Sequence, residues 1–180
     1  MAGFKEIVTK TVIGKGKKTT KNSVSITPDE RPSTVLGCWV INHTFSGSVD
    51  GGMVVVNGSY DVNVWYSFDE DHKTAVSVTK YNYTDKLNVP IKNNGVLSKD
   101  SEIIVRSLKQ PTVSDVNLND NLVSLYVEKE LGVEVIGEAK IRVNTDDDDY
   151  DDYEEIIDED DVDKIIEQVD ENYLKDVNQK

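Results

Sequence analysis

The chain has 180 residues, 34 acidic against 20 basic, and a formal net charge of −14. That length suits one ordinary domain plus something extra, and a single cysteine, Cys38, excludes an internal disulfide framework. No apolar leader and no run of about 18 apolar residues occurs, so neither a signal peptide nor a membrane span is expected. The charge is unevenly spread. Residues 1–145 hold 17 Lys/Arg and 17 Asp/Glu, whereas residues 146–180 hold 17 Asp/Glu against three lysines, which accounts for the whole −14. The sequence therefore divides into a neutral domain, 1–145, and an acidic tail, 146–180.

Residues 4–13 are β-prone and run into Gly14-Lys-Gly-Lys-Lys18, which reads as a glycine-punctuated basic turn before a second strand around 22–26. Through Lys21 this segment has six lysines against one glutamate, and it lacks the glycine spacing of a phosphate-binding loop. Lys15, Lys17 and Lys18 fit two roles: solvated charges shielding an edge strand, or docking onto an acidic surface such as the tail of a neighbouring copy. Pro28 and Pro32 bracket a turn, residues 34–45 resume strand character with Trp39, Val40 and Ile41 expected in the core, and 46–52 reads as a hairpin loop.

The clearest pattern lies at 54–66. Val54, Val56, Gly58, Tyr60, Val62, Val64 and Tyr66 alternate with Asn57, Ser59, Asp61 and Asn63, as in a central strand with one face on a core and one in water. Trp65 interrupts the wet face and needs a cover, for which a loop of the same chain is the first expectation. After a turn at 68–72, residues 74–83 place Val76 and Val78 on the parity opposite to Ala75, Tyr81 and Tyr83, which suggests a bulge or an end-to-end switch of environment. Asn93-Asn-Gly95 signals a tight turn, and further strands are expected at 103–108, 112–118, 122–127 and 131–143. The predicted fold is all-β: one β-sandwich or partly open barrel of about 7–10 mostly antiparallel strands.

In the tail, twelve of the sixteen residues from Asp146 to Asp161 are acidic, so 146–159 is expected to be disordered. Val162, Ile165, Ile166, Val169, Tyr173 and Val177 recur at helical spacing, which predicts an amphipathic helix over 160–176 that needs a partner to cover it. Catalytic signals are weak: the two histidines, His43 and His72, fall in separate segments, no nucleophile elbow occurs, and no acidic dodecad has the glycine of a calcium loop. No metal or cofactor is expected, and the net charge disfavours nucleic acid. These observations favour a binding or assembly protein over an enzyme. The rival reading is a monomeric sandwich that binds carbohydrate or a small ligand, with Trp65 and Tyr66 as stacking platforms and the tail serving solubility.

Several stretches together resemble the outer spore coat morphogenetic protein CotE family of endospore-forming bacteria. They are Glu6-Ile-Val-Thr-Lys10 with Gly16-Lys-Lys18, Ile26-Thr-Pro28 leading to Arg31-Pro-Ser33, Leu36-Gly with Trp39-Val-Ile-Asn-His43, Gly58 through Ser67, Gln110-Pro111, Val135-Ile-Gly-Glu138 and the acidic tail. The resemblance implies a non-enzymatic protein made in the mother-cell cytoplasm and resident in the spore coat. It implies self-association, placement on an inner layer organised by a morphogenetic ATPase, and recruitment of outer-coat proteins partly through the C-terminal region. The tail here is Asp-rich where such proteins are expected to end in Glu and Trp. On this basis Lys15, Lys17, Lys18 and Trp65 are candidates for self-association, and Tyr150, Tyr153, Ile165, Ile166 and Tyr173 for anchoring recruited proteins, without membrane insertion.

Overall fold

A computed structural model describes residues 3–92 and 94–145. The expected disordered stretch at 146–159 and helix at 160–176, with all five anchor candidates, lie outside the described residues. Contacts divide the chain into one unit spanning Glu6–Arg142 and a second formed by its ends, 1–5 and 143–180. Of the second unit, the described residues are the first positions of one strand and the last of another. The larger unit carries the fold.

Six strands are present among the described residues: β1 (Gly3–Ile26), β2 (Thr34–Asp50), β3 (Met53–Phe68), β4 (Lys73–Leu87), β5 (Glu102–Asn119) and β6 (Leu122–Thr145). They form two three-stranded sheets, ordered β1-β6-β5 and β2-β3-β4. The all-β sandwich is as expected, but the strands are fewer and longer because several expected breaks are bridged. Gly14–Lys18 is not a turn; β1 runs straight through it. Gly14 is needed there because a Cβ would meet the Pro90 carbonyl oxygen at 2.9 Å, where Ile91 bridges back to β1. Pro111 sits inside β5, an edge strand, where a missing amide donor is tolerated. The loop expected at 46–52 shrinks to Gly51-Gly52, both with positive φ, as a two-residue hairpin demands. Asp69, Glu70 and Asp71, all with positive φ, make the turn expected after β3.

The central strands β3 and β6 supply most of the core. At one end Val54 and Val56 pack with Leu131, Val133 and Val135; at the other Tyr60, Val62, Val64 and Tyr66 pack with Val123, Leu125 and Val127. Between these two clusters lies a polar layer. On β6 the inward position between Val127 and Leu131 is Lys129, 1% exposed; on β3 the position between Val56 and Tyr60 is Gly58. A Cβ on Gly58 would collide with the Tyr83 ring, so the glycine makes room for Tyr83 to lie across the core. The Lys129 ammonium stands 3.9 Å from the centre of that ring, 2.8 Å from Asp85 Oδ2 and 2.7 Å from Thr20 Oγ1. An ammonium removed from water needs such a full set of partners.

His43 completes the layer. Ile41 pairs with Asp61 and Thr44 with Ser59, so Asn42 and His43 together oppose Tyr60 in a β-bulge. Asn42 takes φ 55° and bonds Asp61 through its amide at 2.8 Å, which turns His43 inward to within 2.7 Å of the Tyr83 hydroxyl. Burial first, and the Lys129 ammonium second, hold His43 below the ordinary histidine value. Of the bulge and the change of environment that the parity of β4 suggested, the bulge does not occur. β4 pairs in unbroken register with β3, and Val76 and Val78 stay on the outer face.

Two predictions follow from the layer. Lys129→Met strands Asp85 and lowers stability in urea unfolding by about 3–5 kcal/mol, and adding Asp85→Leu recovers most of the loss. The unfolded chain accepts a proton that folded His43 resists, so its contribution weakens as pH falls through about 6.5. The melting temperature should therefore drop more between pH 7.5 and 5 in the native chain than in His43→Gln; equal drops would exclude the coupling.

Candidate assembly surfaces

Three outer faces bear on association, and the first belongs to the β2-β3-β4 sheet. Antiparallel register places directly opposed residues on one side, so Gly37, Trp65 and Val76 share a row, and Trp39, Asn63 and Val78 share the next. All of these point away from the core. Trp65 is 43% exposed, Val76 50% and Val78 60%, with Trp39 and Ile41 similarly open. The expected loop over Trp65 is absent among the described residues, and Trp39 and Ile41, expected inside, are outside. The result is a contiguous apolar area crossing all three strands. A contiguous exposed apolar area is the kind of feature that contact surfaces present.

At its centre sits a buried acceptor. Asn63 is 7% exposed, walled by Trp39 and Val78, and among the described residues no donor reaches its Oδ1. A buried amide oxygen without a partner costs about 1–3 kcal/mol, a deficit that a donor from outside could remove. Sequence periodicity named Trp65, but missed Trp39, Val76 and Val78. The signal for Val76 and Val78 was the parity conflict in β4, whose two apolar faces need no bulge; Trp39, on β2, had no such signal.

The second surface lies on the β1-β6-β5 sheet. Lys15 and Lys17 project from β1, and Arg106 from β5, around Leu108, Gly132, Val133 and Glu134, enclosing about 310 Å³. Leu108 falls in a register shift of β5 and lies over Gly132, where a Cβ would meet it at 2.9 Å. Glu134 is shared by Lys15 at 3.3 Å and Arg106 at 3.9 Å. A cleft of about 140 Å³ adjoins it across Gly16 and Lys17, lined also by Lys18, Lys86, Leu87, Asn88 and Val89. Lys18 donates through Nζ to the Lys86 carbonyl at 3.2 Å. The structure thus brings Lys15, Lys17 and Lys18 together, but on a continuous strand, and keeps them apart from Trp65 on the other sheet.

The third candidate region, the C-terminal anchors, lies outside the described residues. No cluster of three or more His, Cys, Asp or Glu suited to a metal ion occurs among the described residues, and no helix there is long and apolar enough to cross a membrane. Cys38 pairs with Val64 on the inward side of β2 and is half-buried, and burial pushes its thiol above the ordinary range.

The model of the family described as outer spore coat protein E (CotE) matches residues 3–176. The chain belongs to that family, an outer spore coat protein family. No curated protein and no solved structure matches it.

A thiol raised by burial is a poor nucleophile. Ellman's reagent should label Cys38 roughly tenfold more slowly in the native protein than in guanidinium; equal rates would mean an open, reactive cysteine.

Proposed function

We propose that this coat protein is a scaffold that associates with its own copies and directs assembly of the outer coat by recruiting other coat proteins. The observation that carries the first half is the apolar outer face of the β2-β3-β4 sheet, with Trp39, Trp65, Val76 and Val78 open around an Asn63 oxygen that has no partner among the described residues. A second copy of the same sheet supplies both the apolar cover and amide donors, since a two-fold contact presents each patch to itself. Recruitment falls to 146–180, where aromatic and aliphatic side chains interrupt an acidic sequence: Tyr150, Tyr153, Ile165, Ile166 and Tyr173 anchor outer-coat proteins. The inner surface on which the scaffold sits is provided by a coat ATPase, and the site of synthesis is the mother cell.

Trp65→Glu with Val78→Lys places charge on the face while leaving the core untouched. Light scattering behind size exclusion should find the native chain as an oligomer and the variant as a smaller species with an unchanged circular dichroism spectrum. Identical masses would remove the sheet face from assembly. A monomeric native chain would return the tryptophans to the ligand-binding reading. Replacing the five tail anchors by serine in the full chain should abolish retention of purified outer-coat proteins; undiminished retention would refute the tail's role.

A further inference from the structure

We infer that the paired clefts around Gly16 and Lys17 bind the acidic stretch 146–155 of a second copy of this chain. The clefts gather five cations, Lys15, Lys17, Lys18, Lys86 and Arg106, against a single carboxylate, Glu134. This is a local excess in a body whose charges otherwise cancel, 17 against 17 over residues 1–145. Among the described residues, Lys17 and Lys86 have no carboxylate partner within salt-bridge distance. The matching anion is in the same sequence: eight of the ten residues 146–155 are Asp or Glu, and the other two are Tyr150 and Tyr153. Carboxylates suit the Arg106 fork and the lysine ammonium groups. The tyrosines suit the apolar floor of Leu108 and Gly132, or a cation over the ring face.

Chain geometry selects a neighbour's tail over the chain's own. From Glu134, in the cleft, β6 runs on to its end at Thr145, eleven residues further or about 36 Å at 3.3 Å per residue. The acidic run begins just beyond the end of that strand. A tail turning back on its own cleft would use about as many residues to return, which leaves 146–155 short of it. A second copy has no such restriction. This contact lies on β1, β5 and β6 with the end of β4, apart from the rows of Trp65 and Val78, and stands independently of the apolar face; being exposed and ionic, it weakens with salt.

The test mixes equal amounts of light and heavy-isotope full-length chain at low salt and adds a water-soluble carbodiimide, which joins carboxylates to amines in contact. Mass spectrometry should find mixed-label links from Lys15, Lys17, Lys18 or Lys86 to 146–155. They should fall roughly fivefold or more in 0.5 M NaCl, where screening is within a few ångströms. They should fall similarly in Arg106→Gln, whose neutral side chain the carbodiimide does not activate and whose fold is checked by circular dichroism. The same links should persist in the Trp65→Glu/Val78→Lys variant, which separates this contact from the sheet face. Links of one label only, links spread evenly to Lys73, Lys80 and Lys99, or no tail links at all would overturn the proposal.

Discussion

Every inward residue of the two central strands is apolar or small except one, and that one, Lys129, governs how the sheets meet. Its ammonium is held between β6 and β4 by Asp85, reaches Thr20 on β1, and faces the Tyr83 ring. Through Tyr83 the same layer extends to His43 on β2. Strands from both sheets are thus tied by one hydrogen-bonded set, which hydrophobic packing alone would not orient. Apolar side chains tolerate sliding past one another; a buried charge with directional partners does not. Gly58 belongs to the same arrangement, because only a position without a side chain admits Tyr83 to the space opposite Lys129.

That internal constraint frees the outer faces for other work. With the core closed by β3 and β6, the tryptophans and valines on the outside of β2-β3-β4 add nothing to the fold's interior and stand open. The basic clefts lie on β1, β5 and β6 and reach the end of β4, so the described body has two chemically distinct surfaces, one apolar and one cationic. A protein of a layered coat that met its neighbours through both would extend in more than one direction, whereas one two-fold contact closes a dimer.

Much of the body is legible from alternation alone. The residues of β3 fall on the faces that period-two reading assigns, from Val54 at 0% exposure to Trp65 outside. Other features escape such reading because local signals have more than one structural cause. Gly14 resembles a turn residue, yet it answers to the close approach of Pro90 and Val89. Glu128-Lys129-Glu130 resembles a loop between strands, yet β6 passes through it with one charge turned inward. His43 sits at a parity that only the Asn42 bulge explains.

The sequence by itself determined the class of fold, the central strand, the neutral body with its acidic extension, and the family. Each of these rests on composition or on short-range periodicity, which the chain carries locally. Only the tertiary structure decided that Lys129, Asp85, Tyr83 and His43 form one buried layer, that Trp39 joins Trp65 and Val78 on an open face, and that Arg106 meets Lys15 and Lys17 across β6. Those groupings depend on register and on which sheet lies over which. Such long-range pairings are set by the packing of the whole core, and no local stretch encodes them.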